Sequence, residues 1–78
     1  MRQSDLAFAA ATRAILWSGQ ARAAREAAGV SAAEVGRVVG VSRSSVCDWE
    51  TRRSVPTAPH AVAYGRALAA LGNIRVVA

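Results

Sequence analysis

Between Ser31 and Thr51 the chain reads SAAEVGRVVGVSRSSVCDWET, two stretches of helical length separated only by Gly40-Val41-Ser42. Ser31 followed three residues later by Glu34 has the form of a capping box and opens the first stretch, which runs to Val39. Ser42 can cap the second, which runs to about Thr51. Val35, Val38 and Val39 fall on one face of the first helix, and Val46 and Trp49 on one face of the second, so both have an apolar side to bury. Short helices on so brief a link must cross steeply. The crossing needs a small residue where the backbones approach, supplied by Gly36, and a turn residue that tolerates positive φ, supplied by Gly40. Val41 would plug the gap beneath the turn. Four conditions met at fixed offsets predict a steeply crossed helix pair.

The rest of the chain is punctuated in the same way. Ser4 or Asp5 can cap a helix running to about Trp17, followed by Ser18-Gly19. Gln20 to Ala28 reads as a second helix, or as a continuation of the first, stopped by Gly29. Thr57 can cap a last helix with Pro59 in its first turn, ending near Leu71-Gly72. The tail, Asn73 to Ala78, is β-branched and alternating, the pattern of a short strand. Ala is the commonest residue and, like Arg, favours helix, so the fold class expected is all-α, one domain over 1–78. Leu6, Phe8, Ala11, Ile15, Leu16 and Trp17 make the first helix apolar on most of its circumference. That is more apolar surface than so short a chain can cover, and a homodimer is expected, formed through this helix or through the tail.

All ten basic residues are Arg, against five acidic ones, for a net charge of +5. This balance implies an anionic partner, nucleic acid first and a membrane surface second. One cysteine, Cys47, and one histidine, His60, exclude an internal disulfide framework and a zinc cluster within one chain. No apolar run approaches the roughly 18 residues of a membrane span, and Asp5 interrupts any secretory pattern, so a cytoplasmic protein is expected. Neither a catalytic constellation nor a glycine-rich phosphate loop is present; no enzyme activity, cofactor, metal or small-molecule effector is expected.

Arg25, Gly29-Val30-Ser31, Glu34, Gly36, Gly40 to Val46, Trp49-Glu50 and Pro56 together resemble the lambda-repressor and Cro-type helix-turn-helix family, over about Gln20 to Leu71. The resemblance implies a compact five-helix bundle that lays one helix, here Ser42–Thr51, in the DNA major groove. On that reading 1–19 is an added N-terminal helical segment, 20–71 the family-like bundle and 72–78 a tail. The family's members are usually dimeric transcriptional regulators of phage, plasmid or bacterial origin. It further implies that Arg25 and Glu50 form a structural ion pair between the first family helix and the recognition helix. The chain departs from the pattern at Ala32, where many members carry a Gln that touches the DNA backbone, and at Arg52, where a Gly commonly ends the recognition helix. Its first family helix is also richer in Ala than is usual.

A recognition helix that enters the groove by its N-terminal end offers its first turn to the bases. That turn holds Ser42, Arg43, Ser44 and Ser45, with Cys47 and Asp48 one turn on. Arg43 can bind guanine O6 and N7 bidentately or settle on a phosphate, and Ser44 is the next candidate. Asp48 can accept from cytosine N4 or, the favoured alternative, pair with Arg43, Arg52 or Arg37. Cys47 reads as a small filler, buried or facing the groove among the DNA-binding candidates, Val46 and Trp49 as core, and His60 as surface. Phosphate contacts are expected from Ser31 at one end and from Thr51, Arg52 and Arg53 at the other. The function expected is a sequence-specific regulator binding double-stranded DNA, of Cro or immunity-repressor type, acting as a dimer on an inverted repeat. Its rivals are an antitoxin-like interaction module that also binds DNA, an excision or architectural factor, and a membrane-active basic helix.

Overall fold

The caps set the helix boundaries in the computed structural model, which describes residues 2–77. Five helices follow one another: α1 (Gln3–Ser18), α2 (Gln20–Ala27), α3 (Ala32–Val39), α4 (Arg43–Glu50) and α5 (Ala58–Ala70). The architecture is all-α, with α1 as one of the five. It begins before Ser4: Arg2 is the N-cap, and Asp5, three positions on, accepts from the Arg2 backbone N–H at 3.4 Å. Its carboxylate therefore sits in the first turn, where the helix dipole favours an anion. Gly19, at φ +85°, separates α2 from α1, so the two are not continuous. Thr57 stands at the N-cap of α5, but its hydroxyl makes no capping bond.

Helix α1 is built into the bundle by its packing along α5. Gly65 permits this approach, since a Cβ there would run into Thr12 Oγ1 and lie 2.6 Å from Phe8 Cε2. Thr12 is wholly buried at the seam, and its hydroxyl donates to the Phe8 carbonyl at 3.0 Å. A polar side chain can sit dry there because this bond to the preceding turn satisfies it. Ala9, Ala61 and Val62 fill the seam with small apolar groups. The main core joins Leu16 of α1 to Val35, Val46 and Trp49 of the crossed pair and to Tyr64 and Leu68 of α5.

Two further expectations fail. Val38 is 75% exposed, although its spacing predicts a buried face shared with Val35 and Val39. At about 100° per residue Val38 lies roughly 60° from Val35, on the side away from Ala32 and Val39, and the core is centred on those two. Among the described residues there is also no strand; 73–77 run irregularly, because a strand needs a partner and these helices offer no edge. The alternation has another cause. Ile74 and Val76 turn onto the main core, and Asn73 Nδ2 donates to the Ala24 carbonyl at 3.1 Å. Ala78, the last residue of the expected strand, lies outside the described residues.

Candidate nucleic-acid interface

The turn into α4 is specified by residues close to it. Gly40 takes φ +89°, and the Gly36 carbonyl accepts from both the Gly40 and Val41 N–H groups at 2.8 Å. A Cβ on Gly36 would stand 2.7 Å from the Val41 carbonyl oxygen, a backbone atom with little room to yield. Ser31 and Glu34 form the full capping box, with bonds of 3.0 and 2.9 Å. The Ser31 backbone N–H, and then its hydroxyl, hold Glu34 below the usual carboxylate range. That carboxylate already occupies the Ser31 backbone N–H. Ser42 Oγ accepts from the Ser45 N–H at 3.1 Å, and the two hydroxyls lie 3.2 Å apart. Ser42 and Ser45 are thus engaged with each other. Arg43 and Ser44 are exposed, and their side chains make no hydrogen bond to other described residues.

The end of α4 is held from a distance. Glu50, its last residue, accepts from Arg25 Nε and Nη2 at 2.8 Å each, and Arg25 Nη1 donates to the Val30 carbonyl at 2.8 Å. Tyr64 donates to the same carboxylate at 2.7 Å. The side chains of the pair are 9% and 2% exposed. The bond to Glu50 raises Arg25 above its ordinary value, and burial first, then the Glu50 bond, pushes the Tyr64 hydroxyl far up. Tyr64 was absent from the sequence reading. The signal for it is a phenol flanked by Ala61, Val62, Ala63 and Gly65, which when buried must find an acceptor.

Beyond Glu50 the predicted contacts diverge. Thr51 Oγ1 donates to the Cys47 carbonyl at 2.7 Å, so its proton is already committed. Arg52 has φ +66°, the one positive value at a non-glycine among the described residues, a conformation costing about 1–2 kcal/mol. Its head turns towards α1: Nε donates to the Trp17 carbonyl at 2.7 Å, and the guanidinium lies 5.2 Å from the Trp17 ring centroid. Arg13, also on α1, donates through Nε and Nη2 to the Pro56 carbonyl at 3.1 and 2.9 Å. Arg53 is exposed and its guanidinium has no ion-pair partner among the described residues. Asp48 likewise has none, so the favoured pairing with Arg43, Arg52 or Arg37 is not formed. Cys47 packs half-buried against the core. His60 is half-buried rather than free at the surface, its ring 5.8 Å from that of Trp49.

An open cleft of about 410 Å³ lies between α2, the start of α3 and α4, with Ser31, Arg43, Cys47 and Thr51 among its walls. It therefore brings together four of the residues predicted to meet DNA, beside the Arg25–Glu50 pair. Arg22, which sequence reasoning did not select, lines it too and carries an exposed i,i+4 pair with Glu26 at 3.5 Å. Among the described residues no three potential ligands cluster to hold a metal, and no helix is long and apolar enough to cross a membrane.

No curated protein and no solved structure matches this chain. Residues 18–75, well over half of it, match the helix-turn-helix domain family. The matched span holds the capped α3, the Gly36–Gly40 turn, α4 and the buried Arg25–Glu50 pair, and it leaves out nearly all of α1. By sequence match and by the crossed pair at its centre, the chain belongs to the helix-turn-helix domain family, a DNA-binding class.

Proposed function

We propose that this protein is a cytoplasmic, sequence-specific regulator of transcription that binds double-stranded DNA as a homodimer, in the manner of Cro or immunity repressors of phages and plasmids. The observation that carries the reading is the state of the first turn of α4. Ser42 and Ser45 are engaged with each other, while Arg43 and Ser44 stand exposed with free donors beside a cleft that Ser31 and Arg22 also line. A major groove would meet these donors first. Arg43 reads a guanine, Ser44 touches the neighbouring base, and the unpaired Asp48 accepts from a cytosine N4 one turn further along. Ser31, Arg22 and Arg53 hold phosphates. Exposed Leu6 and Val38 supply apolar surface for a second copy. Regulation is by occupancy: two copies of α4 fill half-sites about 34 Å apart and exclude polymerase.

Selection of bound duplexes from a random library at near-physiological salt tests this. An inverted repeat with half-sites about one helical turn apart is expected. Arg43→Ala should then lose about 1–3 kcal/mol of discrimination at one base pair per half-site. Uniform weakening would move Arg43 to a phosphate, and a direct repeat would favour an architectural or excision factor. Failure to enrich any sequence would overturn the proposal.

A further inference from the structure

We infer that Trp17 and Arg52 together are positioning residues for DNA recognition: Trp17, on α1, holds the outgoing end of α4 by binding Arg52, and neither touches the DNA. The inference rests on the DNA-binding function proposed above. Three observations carry it. Arg52 keeps a left-handed backbone that a glycine would adopt freely, so what the arginine adds at this position is its side chain. That side chain is committed twice, to the Trp17 carbonyl at 2.7 Å and to the face of the Trp17 ring. The carbonyl is one of those that the last turn of a helix leaves without an internal donor. In α1, Ile15 accepts from the Ser18 hydroxyl and Leu16 from the Gly19 N–H, and Trp17 takes the guanidinium. Arg52 thus caps α1 from another part of the chain, at the end of the helix dipole that favours a cation.

A second strut runs beside it. Arg13 lies one helical turn before Trp17 and binds the Pro56 carbonyl, so α1 grips the chain after α4 at two points. Helix α4 has only eight residues, and its direction depends on how its ends are held. Glu50 fixes the inner side of the outgoing end, and Arg52 fixes the outer side. Nε alone is engaged by the carbonyl, so the salt dependence of binding is what separates a tether from a phosphate ligand.

The test uses the full chain and the duplex obtained by selection, with Arg52→Gly, Trp17→Leu and the double variant. Glycine accepts the positive φ, so Arg52→Gly should melt no lower than the parent. It should nonetheless bind the duplex about tenfold more weakly, roughly the worth of one base contact. Its slope of log affinity against log salt should stay that of the parent. Trp17→Leu should weaken binding in the same way, and the double variant should be no weaker than Arg52→Gly alone. In DNA-free protein, amide exchange at Thr51 and Arg53 should quicken in both single variants. A slope shallower by about 0.9 in Arg52→Gly would make Arg52 a phosphate ligand and overturn the inference. Parental affinity in that variant, or additive losses in the double variant, would overturn it too. If the parent binds no duplex, the function proposed above falls and the positioning role with it. The exchange measurement, made without DNA, tells that failure from a missing tether.

Discussion

The two ends of α4 are anchored in opposite ways. At its start everything needed lies within a dozen residues: Gly36 for the approach, Gly40 for the turn, Ser42 for the cap. At its end the contacts come from α1, α2 and α5, through Trp17, Arg25 and Tyr64, each at least fourteen residues away. A local anchor forms whenever its own segment does, whereas a distant one exists only after the rest of the molecule has assembled. The presentation of Arg43 is therefore a local property, and the direction in which α4 points is a property of the whole fold.

The largest way to break this contrast is at the distant anchor. Arg25→Ala leaves the buried Glu50 carboxylate with Tyr64 as its one remaining side-chain partner, and should cost about 3–5 kcal/mol in urea unfolding. A loss under about 1 kcal/mol would show that solvent takes over the role of Arg25. Next comes the local anchor. Gly36→Ala drives a methyl against the Val41 carbonyl and should cost about 1–3 kcal/mol by the same measurement. Gly40→Ala meets nothing in space but keeps a left-handed backbone, so about 1–2 kcal/mol is expected. A larger loss at Gly40 than at Gly36 would mean that turn conformation matters more than close approach.

The smallest effect is a dependence on pH. Tyr64 titrates above its unfolded value near 10, so its contribution is complete below that pH. As the pH rises past 10 the unfolded chain loses its proton first, and stability falls. Thermal melting should be level between pH 7 and about 9 and then decline, with a shallower decline in Tyr64→Phe. An unchanged decline in that variant would assign the alkaline loss to other groups.

What could be read in the sequence follows the same division. The capping box, the Gly36–Gly40 turn and the apolar pair Val46 and Trp49 are written in residues three to five apart, and local geometry alone identifies them. Arg25 and Glu50 were legible only through a family pattern, since nothing near either names its partner. Arg52 was legible as a departure from that pattern, but its destination was not, because a residue 35 positions away determines it. Thr12 and Gly65 gave no signal at all: a polar residue in an alanine helix and a glycine in another acquire meaning only when the helices meet. The tail misled for a related reason, since two-residue periodicity reports one-sided burial whether or not a sheet provides it.

The seam at Gly65 separates what is inherited from what is portable. Family likeness starts at residue 18, but α5 carries a notch shaped for a helix that precedes that boundary. A transplant of 18–75 into another scaffold would take the crossed helix pair along and leave behind the surface that steadies it. The notch would open to water, and Arg52 would keep its strained backbone with nothing to rest on. The segment suited to grafting is thus longer than the homologous one, by the length of α1.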